Sequence, residues 1–429
     1  MTAVRLALQL AFAATVALAA EHPASINEAA EAYVKLVLAM GQHDADYVDA
    51  YYGPPEWKTT AESAKKPLDE IGAEATRLLE SLAATQTPTD EHARLRHEYL
   101  KKQLSALEAR VRMLQGKSFT FEEESRALFD TVAPPLPDAH FQKVLDRLEK
   151  KLPGQGSVNE RYENWRRAFV IPKEKLDAVF QLAIKKCREE TLRHVQLPPN
   201  ESFTVEYVTD KPWSGYNWYK GDFRSVIQVN TDLPAYIDRA LDLAAHEGYP
   251  GHHVYNALLE KHLVRDRNWV EFSVYALFSP QSLIAEGTAN FGKDVVMPRT
   301  ERMKFEREVL WPAAGLDPKR LDEYYEVQEM QKQLSYAPNE AARRLINGKI
   351  DAAGAAAWLR KFGLMDEKRA EQRVKFIQRY RSYVINYNVG EDMVRAYIEK
   401  RGGTEKQPEK RWREFERLLS SPRLPSGLR

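Results

Sequence analysis

Cysteine is almost missing from this chain: Cys187 stands alone among 429 residues. A single thiol forms no internal disulfide, so stability must come from a large core rather than from covalent staples. A net charge is missing as well. The 63 basic side chains face 62 acidic ones, and so balanced a surface argues against nucleic acid as the main partner. Beyond the first twenty residues no apolar run is long enough to span a bilayer. Internal repeats and low-complexity tracts are also absent.

What is present begins with a leader. Arg5 supplies one positive charge, Leu6 to Ala20 form a short apolar run, and Ala17-Leu18-Ala19 precede a polar segment. This pattern predicts a secretory signal cleaved near Ala19, and hence an exported protein, periplasmic or secreted, with no stable membrane insertion after cleavage. No cysteine occupies a lipid-attachment position, which argues against a lipoprotein. Removal of the leader takes away Arg5 and leaves 62 basic against 62 acidic residues. The expected organisation is a signal peptide over 1–19, a helical region over 20–196, and a metal-binding catalytic region over 197–429, the latter two forming one intimate unit. About 410 mature residues are ample for a large core.

From Ile26 to about Val195 the periodicity is helical nearly throughout. Ala30, Val34, Leu36 and Val37 make one apolar stripe; Leu95, Tyr99, Leu104, Leu107 and Val111 make another. Near Leu197 the texture changes. Phe203 to Val208 and Arg224 to Asn230 alternate as strands do, with turn residues Asp210 to Gly215 between them. A small sheet there is either a plain hairpin or an edge that holds an extended peptide by main-chain hydrogen bonds. Asn230-Thr231-Asp232 then predicts the cap of a helix running from Leu233 to Glu247.

That helix leads into Ala244-Ala-His-Glu-Gly-Tyr-Pro-Gly-His-His253, which holds three of the ten histidines. Neutral imidazoles are good zinc ligands, and a carboxylate beside a metal-bound water can act as its general base. His246 and Glu247 would supply one of each. The spacing departs from His-Glu-x-x-His, because Pro250 stands where the second histidine would fall. In an unbroken helix His252 would lie about 120° from His246, and His253 about 10.5 Å further along the axis. A bulge or kink at Pro250-Gly251 would absorb two residues and return one of them to His246. On that assumption His252 is favoured, and His253 stays open.

A third ligand is expected from Pro280 to Phe291. Glu286 stands there in a small, apolar run, where an unpaired carboxylate would be costly unless it met a cation or a buried Arg or Lys. Asn290, one turn on, shares its face and can hydrogen-bond a ligand imidazole.

His-Glu-Gly-Tyr-Pro-Gly-His-His, preceded by Val-Asn-Thr and followed by Ala-Glu-Gly, resembles the bacterial DUF885 family. That family looks like a branch of metallopeptidases in which a glutamate-bearing helix follows the zinc helix. The resemblance covers residues 200–295 strongly and continues more weakly to about residue 400. It implies a mainly α, multi-helix metallopeptidase-like fold with a small sheet beside the zinc helix. It also implies a zinc peptidase acting on peptide substrates, with His246, one of His252 and His253, and Glu286 as ligands and Glu247 as base. The family pattern ending in Leu-Ser-Tyr-Lys-Ile-Gly is replaced here by Arg381-Ser-Tyr-Val-Ile-Asn-Tyr-Asn-Val-Gly390. Tyr387 matches its tyrosine and either donates to an oxyanion or is a core residue. Arg379 and Arg381 either bind a substrate carboxylate or are surface or structural charges. Two other outcomes fit the sequence: a catalytically silent peptide-binding protein with a structural metal, and a hydrolase of a non-peptide amide or ester.

Overall fold

A computed structural model describes residues 25–211 and 213–429, so the leader lies outside the described residues. The chain is mainly α-helical with little sheet. Ser25 and Glu28 close a capping box on the first described helix, Ile26–Met40, which buries Tyr33, Val34, Leu36 and Val37. The second stripe lies on Glu91–Leu114, where Tyr99, Leu104, Leu107 and Val111 are buried and Leu95 is half-buried. Among the described residues no helix is long and apolar enough to cross a membrane.

The N-terminal stretch is not helical throughout. Val48–Tyr51 forms strand β1, whose partner is distant in sequence: the strand Val274–Ala276, antiparallel to it. Four residues are too few to show a period, and the pairing register slips between Val48 and Ala50, leaving Asp49 at the irregularity. The two anticipated strands are present as β2, Ser202–Val208, and β4, Arg224–Asn230. They are parallel neighbours rather than a hairpin. Between them in sequence, β3, Gly215–Gly221, pairs antiparallel with the other side of β4, and Val274–Ala276 is then β5. Asp222 and Phe223, both at positive φ, make the two-residue turn joining β3 to β4. β3 is an edge strand.

The helix anticipated from Leu233 starts later, at Ile237, with no side-chain cap. The residues meant to cap it hold a loop instead. Asn230 Nδ2 donates to the carbonyls of Lys211 and Trp213, and Asp232 accepts from the Asp210 amide. The C-terminal tail is docked: Leu424, Pro425 and Leu428 are buried, and the Ser426 amide donates to Asp130.

One contiguous core joins the N-terminal helices to the rest. Its polar ties are buried: Arg96 donates twice to Glu271, Tyr99 donates to Gln281, and Glu124 accepts from the Ser382 amide and hydroxyl. These ties back the helix Pro280–Val296, which carries Glu286. Against it lies Ile385–Lys400. The two approach at glycines, since a Cβ on Gly287 would lie 2.5 Å from the Gly390 backbone. That close crossing brings the Tyr383–Tyr387 segment over Glu286.

Candidate metal centre

The helix Ile237–Leu243 does not continue regularly into the histidine motif. Ala244–Gly248 widens into a π turn, the Tyr249–Pro250 bond is cis, and a new helix begins at His252. Tyr249 donates its amide back to Ala244 and Gly251 donates to Ala245, bonds that skip five and six residues and take up the extra length. Gly251 is required here for space: a Cβ would lie 1.9 Å from the His246 carbonyl oxygen. The fold-back places His252 Nε2 3.1 Å from His246 Nε2.

Glu286 completes a triangle. Its Oε2 lies 3.3 Å from His246 Nε2 and 3.7 Å from His252 Nε2. Two ligands on a tetrahedral ion with bonds of about 2.0–2.1 Å lie about 3.3–3.4 Å apart, so these three edges suit zinc. The protons fit as well. Asn290 Nδ2 donates to the Tyr387 carbonyl, which turns Asn290 Oδ1 toward His246 Nδ1 at 2.9 Å. An amide oxygen only accepts, so His246 Nδ1 carries the proton and Nε2 offers its lone pair to the triangle. Glu286 Oε1 accepts from the Tyr383 hydroxyl at 2.8 Å, whereas its buried Oε2 has no hydrogen-bond partner. Three electron-rich atoms facing one another are stable around a cation, and these residues fit a zinc ion.

The charges agree. Burial works to raise the Glu286 pKa, but the neighbouring imidazoles of His246 and His252 hold it well below the usual carboxylate range. Burial works to lower that of His246, yet Glu286, Glu247 and Asp242 lift it to about 9. Each group favours the charge that the other presents.

His253 lies outside the triangle. It is buried, with Ser225 Oγ 2.9 Å from Nδ1 and Glu201 Oε2 2.9 Å from Nε2. Glu201 also accepts from Tyr249 and Arg188. As successive helical residues, His252 and His253 point about 100° apart, and the restart of the helix decides which one faces His246.

Glu247 lines the same cavity of about 650 Å³ as the three converging residues. Burial raises its pKa, with His246 and His252 opposing. Its Oε1 lies 2.9 Å from where a Gly215 Cβ would stand, so the carboxylate sits against the start of edge strand β3. Asn217 of that strand donates to the Glu247 carbonyl. Tyr387 lines the cavity too, and its hydroxyl makes no hydrogen bond among the described residues. Arg379 and Arg381 are structural: each is ion-paired, with Asp46 and Glu124 respectively.

Two participants escape sequence reasoning. Tyr383 has no motif of its own; its role appears only when its segment crosses Glu286. Asp49 reaches the cavity from the slipped register of β1 and accepts from the Tyr216 hydroxyl. Burial raises its pKa to about 6, although that hydrogen bond and His252 lower it.

No family model matches the chain, and no curated protein does. Solved structures similar to it include two putative lipoproteins. One is "the putative lipoprotein from Colwellia psychrerythraea", with a TM-score of 0.53 and 14% identity over 94% of this chain and 75% of that one. The other is "a putative lipoprotein of unknown function from Shewanella oneidensis", with a TM-score of 0.47 and 12% identity over 94% of this chain and 87% of that one. At such identities the first likeness concerns fold alone.

Proposed function

We propose that this protein is an exported zinc peptidase of the DUF885 type. The observation that carries the reading is the convergence of His246 Nε2, His252 Nε2 and Glu286 Oε2, with Glu247 in the same cavity. These three would hold the ion. Zinc, when bound, lowers the pKa of a water and polarises a carbonyl.

The chain's own residues do the remaining work. Glu247, made more basic by burial, takes a proton from the water as its oxygen bonds to the scissile carbonyl carbon. It delivers that proton to the amine nitrogen as the C–N bond breaks. Tyr387, with its hydroxyl unengaged, donates to the oxygen on which charge develops. Tyr383 and Asn290 act as positioning residues, through Glu286 and His246. The edge of β3 pairs with an extended peptide beside Glu247, and Trp213, Tyr216 and Trp218 line the same cavity with aromatic rings.

Export is supported by the leader pattern. Lipid attachment has no support inside the described chain, because Cys187 is buried in the helix Lys173–His194.

The test is a peptide-library digest with and without chelator, joined to zinc analysis of two variants. Glu247→Gln should keep zinc and lose turnover; His246→Ala should lose the zinc. A digest in which no peptide is cut by zinc-loaded protein rejects the peptidase and leaves a binding protein or a hydrolase of other amides or esters.

A further inference from the structure

Two cavities meet beside the metal cluster, one of about 650 Å³ and one of about 1150 Å³, and both are lined by Asn290, Arg373 and Tyr387. Cations are abundant on their walls, and almost all are neutralised. Arg239 and Lys293 share Asp242, while Arg302 and Arg395 share Asp294. Arg166, Arg299, Lys332, Arg369 and Arg411 each have a carboxylate within 4.0 Å. Among the described residues Arg373 is the exception: it has neither an ion pair nor a hydrogen bond.

Its position is tied to the reacting groups. Arg373 sits on the helix Glu367–Tyr380, its guanidinium carbon 5.0 Å from the ring centre of Phe376. Phe376 packs 6.4 Å from Tyr383 and 6.3 Å from Tyr387, and Tyr383 donates to Glu286. One aromatic layer therefore spans from this guanidinium to the metal cluster. Burial and the nearby Arg239 disfavour its charge, and Tyr387 is its one favourable neighbour. Arg373 is half-buried on the cavity wall with no carboxylate beside it, which leaves its planar fork free to take a carboxylate through two parallel bonds.

Building on the peptidase reading, we propose that Arg373 binds the α-carboxylate of the substrate's C-terminal residue, so that the enzyme trims peptides from that end. The anchored end lies at the cavity junction, the scissile carbonyl faces His246, His252 and Glu286, and water adds across the C–N bond to release the C-terminal piece. This is the role that Arg379 and Arg381, already paired, cannot fill.

The test uses the zinc-loaded full chain and one peptide in three forms: free acid, C-terminal amide, and an amide ending in glutamate. Cleavage is read by mass spectrometry. Binding is read by calorimetry on Glu247→Gln, which retains uncut peptide. The free acid should be preferred over the plain amide at least tenfold in both readouts. Adding Arg373→Met should bring acid and amide within twofold, and Arg373→Lys, which keeps the charge but not the fork, should recover part of the preference. Equal handling of acid and amide by the unaltered chain overturns the proposal, as does a preference that survives Arg373→Met. A glutamyl amide outperforming the free acid assigns Arg373 to an acidic side chain instead. Should no peptide be cut, the binding readout still decides Arg373 while the peptidase reading falls alone. The Lys variant, with a melting curve, covers the case in which the Met variant fails to fold.

Discussion

Replacing Gly251 by alanine tests the broken helix at its tightest point. The new methyl would lie 1.9 Å from the His246 carbonyl oxygen and 2.5 Å from that of Ala245, where ordinary contact begins at 3.4 Å. Both obstacles are backbone, so the chain must move by about 1 Å or more to relieve them, whereas ligand distances in a metal site tolerate only about 0.2 Å. His252 follows directly after residue 251 and would be carried away from His246. Loss of a supporting hydrogen bond alone weakens metal sites about 10–100-fold. Displacing a ligand should therefore cost at least about 100-fold in zinc affinity, or about 2.8 kcal/mol. Competition against a chromophoric chelator reads this directly. Gly348→Ala is the control: its φ is +66° and nothing lies within 4 Å of the added carbon. That change should cost stability of about 1–2 kcal/mol and leave zinc affinity unaltered. Gly251→Ala binding zinc within threefold of the unaltered chain would refute the reasoning.

Three further outcomes are expected. Glu247→Gln should lower kcat by about 10²–10⁴-fold with zinc content unchanged; undiminished peptide hydrolysis would remove it from its role. Asn290→Ala frees His246 Nδ1 and should weaken zinc binding about 10–100-fold by chelator competition, and equal affinity would contradict the tautomer assignment. Glu306, only 3% exposed, has a pKa raised from 4.5 to about 7 by burial, with Arg302 and Tyr325 opposing. Its folded state binds the proton more tightly than the unfolded one, so stability is greatest below about pH 4.5 and declines as pH rises toward 7, by about 3 kcal/mol from this group. Urea midpoints across that range should show the decline, and Glu306→Gln should make it shallower, Asp49 and Glu247 contributing the remainder. The same slope in both proteins would exclude Glu306 as its source.

The parts of the site legible in sequence are those whose reason is local. Pro250 and Gly251 announced a break because one lacks an amide hydrogen and the other lacks a Cβ, and the open question was which following histidine the restarted helix would aim inward. Glu286 and Asn290 were legible from one turn of spacing within an apolar helix. Tyr383 and Asp49 were not, since each matters through a partner far away in the chain: one through a helix crossing permitted by Gly287 and Gly390, the other through β1 pairing with β5. The strands Phe203–Val208 and Arg224–Asn230 alternate clearly, yet alternation carries no information on direction. Their parallel order follows from β3 closing onto the far side of β4. Asn230 and Asp232 have the chemistry of helix caps and of loop clasps alike, and here the loop claims them. Arg379 and Arg381 illustrate the same limit, because only the fold shows that Asp46 and Glu124 already hold them.

The most direct measurement is an anomalous-scattering map at the zinc edge from crystals of the zinc-loaded protein. One peak enclosed by His246, His252 and Glu286, with His253 still between Ser225 and Glu201, is the predicted result. A peak ligated by His253, or zinc-loaded crystals with no density between those three side chains, would contradict the account.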